Sequence, residues 1–149
     1  MEPSIENGFR DDHATLLARS FEAQLGRTLH SDVSGQGLYE APFVILSHDT
    51  SDDPVLTYGN LTAQKLWEMD WDRLTTLPSR LTAEPAHRDQ REAMFQRMRE
   101  FGFIEDYSGI RISATCKRFE IRNAVSWTLR DDAGEKVGEA AMFSEHRFL

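Results

Sequence analysis

Val55-Leu56-Thr57-Tyr58-Gly59-Asn60-Leu61-Thr62-Ala63-Gln64-Lys65-Leu66-Trp67 reads as a strand that runs into a helix through one tight polar turn. Val55, Leu56 and Tyr58 are strand formers, whereas Ala63, Leu66 and Trp67 recur three and four residues apart. Asn60 stands where the period changes. Its side chain is suited to accept from the free amides of a first helical turn and to tolerate the dihedrals of a sharp junction.

Upstream of this junction, Pro42 opens the apolar run Phe43-Val44-Ile45-Leu46-Ser47, and the acidic turn from His48 to Pro54 joins the two runs as a hairpin. Downstream, Trp71-Asp72-Arg73-Leu74 suggests a helical turn, and Thr82 and Pro85 introduce a longer helix to Glu100. Met94, Phe95, Met98 and Phe101 form its inner stripe, with Gly102 as the stop. Strands are expected at 103–114, 118–129 and 136–144, with Gly109 as a bulge or a point of close packing. The middle strand alternates, with Phe119, Ile121, Asn123, Val125, Trp127 and Leu129 on its buried face. Near the N-terminus, Ala14, Leu17, Phe21 and Leu25 fall on one stripe of an amphipathic helix that Gly26 ends. The connector to Ala41 is too polar and glycine-rich for regular structure, although Leu38 and Tyr39 can pin it.

The expected fold class is α+β: a five-stranded antiparallel sheet with helices packed on one face, plus an N-terminal amphipathic helix. Residues 1–10 are expected as a flexible tail, 11–41 as helix and connector, and 42–149 as the domain proper. A chain of 149 residues is long enough for one core. Its 25 acidic against 17 basic residues, with no basic run, argue against direct nucleic-acid binding. The single Cys116 excludes an internal disulfide and fits a reducing compartment. No apolar run is long enough to span a membrane, so a cytoplasmic protein is expected.

This element order resembles a PAS domain, with Tyr58-Gly59-Asn60-x-x-Ala63-x-x-Leu66-Trp67 after the second strand and Asp131-Asp132-x-Gly134-x-x-Val137-Gly138 before the last. Glu40-Ala41-Pro42-Phe43-Val44, Ser47-His48-Asp49-Thr50, Pro78-Ser79-Arg80-Leu81-Thr82 and the run from Asp106 to Ser113 resemble, more narrowly, the MEKHLA family of PAS-like modules. Members of that family stand alone in bacteria and algae or end plant class III homeodomain-leucine zipper proteins; the resemblance here is to the stand-alone type. The resemblance implies a PAS-like fold and a sensory or protein-interaction role.

The candidate ligand pocket lies between the sheet and its helices, ringed by Tyr58, Asn60, Trp67, Met94, Met98, Asn123, Trp127 and Phe143. Aromatic and Met side chains make a cavity adaptable, and an isolated Asn would orient a small apolar or aromatic ligand. The same side chains would also serve as a filled core in a structural homodimerisation module. The stripe Ala14, Leu17, Phe21 and Leu25 must be covered, either by its own sheet or by a second copy as a dimer seam. A signalling protein is a further candidate partner.

A small enzyme using Tyr58, His87 or Asp106 as acid or base is the third alternative. No catalytic signature supports it: neighbours such as Ser47, His48 and Asp49 on a strand end cannot converge as a triad. The resemblance also invites comparison with light-sensing PAS domains that form a cysteine-flavin adduct, but Cys116 lies between two late strands rather than in the helical region. The cofactor is unknown. His48, Asp49, Asp52 and Asp53 use the vocabulary of a hairpin turn rather than of a metal site. Arg80 and Arg111 are weak candidates for holding an anion.

Overall fold

The structure is a computed structural model that describes residues 1–83 and 88–149, without the side chains of residues 88–91, 94 and 95. A 3-10 segment, Ile5–Arg10, leads into α1 (Asp11–Leu25), and α2 (Gly35–Tyr39) follows. Strands β1 (Val44–His48) and β2 (Leu56–Gly59) precede α3 (Leu61–Trp67), α4 (Trp71–Leu74), a 3-10 turn (Ser79–Thr82) and α5 (Arg88–Phe101). The chain closes with β3 (Phe103–Ile112), β4 (Arg118–Arg130), β5 (Lys136–Phe143) and β6 (Glu145–Phe148). The sheet is antiparallel in the order β2-β1-β5-β4-β3, with β6 also paired to β4.

The junction at Asn60 ties four segments together. Its Oδ1 accepts from the amides of Ile45 and Ala63, each at 3.1 Å, and its Nδ2 donates to the carbonyls of Leu38 at 3.1 Å and Phe43 at 2.8 Å. The residue is therefore the N-cap of α3 and a clamp on β1 and α2 at once. Its backbone is extended, φ −70 and ψ 176, so no unusual dihedral is needed.

Where five strands were expected there are six. Residues Val125 to Arg130 of β4 pair with β5, which leaves the edge of Phe119 to Arg122 open, and β6 fills it. The simple alternation expected along β4 also fails. Asn123 adopts φ +52, a left-handed conformation that Asn tolerates, and the strand bulges there. Phe119, Ile121 and Ala124 consequently face the layer of α3 and α5, while Val125, Trp127 and Leu129 face the opposite layer. A second bulge in β3, where Asp106 has φ +54, offsets the first, so the pairing at both ends of the two strands stays in register.

Helices thus cover both faces of the sheet. On the outer face, α1 buries Ala14, Leu17 and Phe21 against its own sheet and leaves Leu25 half-buried. Phe21 meets Trp127 edge-on, with ring centroids 4.9 Å apart, and the Trp127 indole donates to the Leu17 carbonyl at 3.1 Å. The stripe weighed as a dimer seam is therefore occupied by β4 of the same chain. Within residues 1–10, expected as a flexible tail, Pro3 is buried and the Glu2 carboxylate accepts from the Tyr39 hydroxyl at 2.6 Å. The polar connector contains a short helix after all, because Ser34 caps it at the Gly37 amide and Leu38 and Tyr39 are buried. Phe101, expected on the inner stripe of α5, is exposed, since the helix ends there and Gly102, at φ +85, turns the chain into β3. His87 and the side chain of Met94 lie outside the described residues.

Two stability changes follow. Asn60→Ala removes the side-chain partner of the Ile45 and Ala63 amides and of the Phe43 carbonyl and should cost about 3 kcal/mol in denaturant unfolding. Phe21→Ala should cost about 3 to 5 kcal/mol by emptying the contact with Trp127, with the near-ultraviolet circular dichroism of that indole weakened.

Candidate functional site

Between the inner face of the sheet and the helices lies a cavity of about 60 Å³. Leu46, Leu56, Trp67, Ile121, Ala124 and Phe143 make its apolar wall. Its polar wall carries Tyr107 and Arg111 from β3, Ser126 from β4, Glu139 from β5, His48 from β1, and Ser79 and Thr82 from the 3-10 turn. Most of these positions follow from strand alternation: Tyr107, Gly109 and Arg111 recur every second residue on one face, as do Glu139, Ala141 and Phe143.

Gly109 has a steric purpose. A Cβ on it would stand 2.8 Å from the Tyr107 hydroxyl and 3.0 Å from Arg111 Nη1. With hydrogen there instead, the guanidinium folds back along the strand, donating from Nη1 to the Ile110 carbonyl at 2.9 Å and from Nη2 to the Tyr107 hydroxyl at 3.3 Å. Its carbon lies 5.6 Å from the centre of the Tyr107 ring. Across the sheet, Glu139 is held by Lys136 at 2.5 Å and His48 at 3.5 Å. Burial alone would raise its pKa, but the hydrogen bonds from His48 and Lys136 outweigh that and keep the carboxylate below its ordinary range. Trp67, 1 % exposed, keeps its indole N–H without a hydrogen-bond partner among the described residues.

Of the residues expected around a pocket, Trp67 and Phe143 line this cavity, and Met98 belongs to the same apolar cluster without lining it. Asn60 spends its side-chain hydrogen bonds on backbone groups. Asn123 is exposed and donates to Glu145 at 3.1 Å, because the bulge turns it away from the core. Tyr58 and Trp127 lie in the outer layer. Asp106 is exposed on its bulge, and Arg80 pairs at the surface with Asp53 at 3.1 Å. The expectation passed over Tyr107, Ser126 and Glu139, although the Tyr107-x-Gly109-x-Arg111 alternation was visible in the sequence.

The outer layer holds a second polar group, the half-buried His13. The His13 ring packs 5.2 Å from that of Tyr58, and its Nε2 lies 2.9 Å from the Ser47 hydroxyl. Burial, with the Arg10 charge adding to it, lowers the His13 pKa from 6.5 to about 4. The Tyr58 hydroxyl has no hydrogen-bond partner among the described residues, and burial raises its pKa.

Comparison with known proteins adds three findings. The family model for the MEKHLA domain matches residues 11–148. No curated protein matches the chain. Among solved structures, the PAS domain of a protein from Colwellia psychrerythraea superposes with a TM-score of 0.65 at 10% identity, over 76% of this chain and 92% of that one. A light-oxygen-voltage domain studied with a flavin analogue gives 0.61 at 14% identity, over 77% and 83%. The light-state dimer of the fungal blue-light photoreceptor Vivid gives 0.58 at 10% identity, over 71% and 79%. At such identities the likeness establishes the fold.

The inner cavity, as the described residues line it, is too small for a flavin. Sites for ligands of that size run from roughly 300 Å³ upward, against about 60 Å³ here. Cys116, the one cysteine of the sequence, is exposed on the turn between β3 and β4.

The sign of the His13 shift sets a pH test. A histidine held neutral in the folded chain is protonated first in the unfolded one, so stability should fall as pH drops from 6.5 towards about 4. The slope should reach about 1.4 kcal/mol per pH unit. His13→Gln should flatten that window in urea titrations. The fall due to Glu139, which starts only below its ordinary 4.5, should remain.

Proposed function

The chain belongs to the MEKHLA domain family and has the PAS fold, and from that premise we propose that it senses a small ligand in the inner cavity and relays occupancy through the sheet. The observation that carries this reading is the cavity itself: a partly polar void lined by Trp67, whose buried indole N–H has no hydrogen-bond partner among the described residues. A core selected only for packing would fill such a space and satisfy such a donor.

The relay is supported by shared strands. In β1, Leu46 borders the cavity while its neighbour Ile45 packs in the outer layer. In β5, Phe143 lies in the inner cluster, and Ala140 is buried in the outer one, which also holds Ala14, Leu17 and Phe21 of α1. A ligand that displaces either strand would therefore alter the seat of α1, and with it the surface offered to a signalling partner.

The test is thermal unfolding and native mass spectrometry of the full chain against a panel of small metabolites. At least one compound should raise the melting temperature, by an amount equivalent to about 2.7 kcal/mol at a hundredfold excess over its dissociation constant. Ala124→Leu, which pushes extra methyl groups into the cavity, should abolish that shift while preserving the circular dichroism spectrum. A panel without any stabilising compound, or an undiminished shift in the variant, would overturn the reading.

A further inference from the structure

We propose that the inner cavity is a site for a short-chain monocarboxylate, with Arg111 as the anion anchor; the inference rests on the ligand-sensing role of the same cavity. Arg111 is 6 % exposed, and a guanidinium does not lose its proton in a protein. Its hydrogen bonds go to a backbone carbonyl and a phenol, both neutral. Among the described residues no carboxylate lies within ion-pairing distance of it. The buried carboxylate of the cavity wall, Glu139 on β5, already has Lys136 and His48. Among the described residues the cavity wall is thus left with one cation that no carboxylate compensates, an arrangement that buried charges avoid unless a partner arrives.

The surroundings fit a carboxylate better than another anion. The Tyr107 hydroxyl accepts from Arg111 Nη2, so its own proton is free to donate. Guanidinium and phenol then present donors side by side, the pattern that two carboxylate oxygens match. Gly109 maintains the space in which they lie together. Beside them, Ile121 and Ala124 on the neighbouring strand, with Leu46 and Phe143, offer an apolar seat for a short alkyl tail, which inorganic phosphate would leave unused. A void of about 60 Å³ has room for roughly four waters, and so for an acid of about two to four carbons.

The experiment measures melting temperature of the full chain at pH 7 and fixed ionic strength against acetate, propionate, butyrate, octanoate, propionamide, 1-propanol and inorganic phosphate. Propionate or butyrate should stabilise the protein, while the amide, the alcohol, octanoate and phosphate should not. Arg111→Met should weaken half-saturation by the acid at least about tenfold. It should leave the unliganded melting temperature unchanged or higher, because it removes a buried charge that has no carboxylate partner among the described residues. A purely structural arginine would lower it. If propionamide or 1-propanol stabilises as well as propionate, or phosphate better, the carboxylate assignment is overturned while the cavity remains a ligand site. If none of these probes acts but another metabolite of the panel does, the carboxylate assignment alone falls; if nothing acts, both readings fall. The acid-against-amide comparison uses the wild-type chain and does not depend on the variant folding.

Discussion

The bulge at Asn123 is the constraint on which both layers of the core depend. A strand of β4's length with unbroken alternation would bury Phe119, Ile121, Val125, Trp127 and Leu129 on one face and leave the other wet. By entering the left-handed region at one residue, the chain sends Phe119 and Ile121 to meet Trp67 and Phe143, and Trp127 to meet Phe21. Two apolar faces then require two helical covers. The outer one is α1, fastened by the bond from the Trp127 indole to the Leu17 carbonyl. The paired bulge at Asp106 keeps β3 in register, so the sheet absorbs the change of face without losing its pairing.

The same geometry shapes the cavity. Past the bulge, β4 presents Ala124 and Ser126 to the inner layer where larger residues would close it. On β3, three residues on one face, Tyr107, Gly109 and Arg111, combine a ring, a gap and a charge, and the gap lets the charge lie along the ring. Glu139 and Lys136 sit three residues apart where β5 begins, and their contact balances the negative charge locally. Bond geometry and charge balance, rather than volume, give this small void its chemical character.

Much of the architecture was legible from residue pattern. The hairpin of β1 and β2, the junction at Asn60, α3, α4 and the three long strands could be placed because each carries a local period or cap. The short helix α2 was missed because its glycines obscure any period, and only burial of Leu38 and Tyr39 and the Ser34 cap sustain it. Strand β6 was missed because all of its residues are exposed, so it has no apolar signature. The site was far less legible. Asn123 looked like a polar group set in an apolar row, when it was the signal of the bulge that removes it from that row. Arg111 was visible as an arginine, but nothing local says that it is buried.

By itself the sequence determined the kinds of elements, their order, the capping role of Asn60 and membership of a family, because these depend on near neighbours and on short motifs. Only the tertiary structure decided which face each half of β4 presents, that the stripe of α1 is covered by its own sheet, and which side chains converge on the cavity. The physical reason is that one left-handed residue changes the facing of every residue beyond it. Burial of a charge such as Arg111 likewise depends on contacts between strands and helices that lie far apart in the chain.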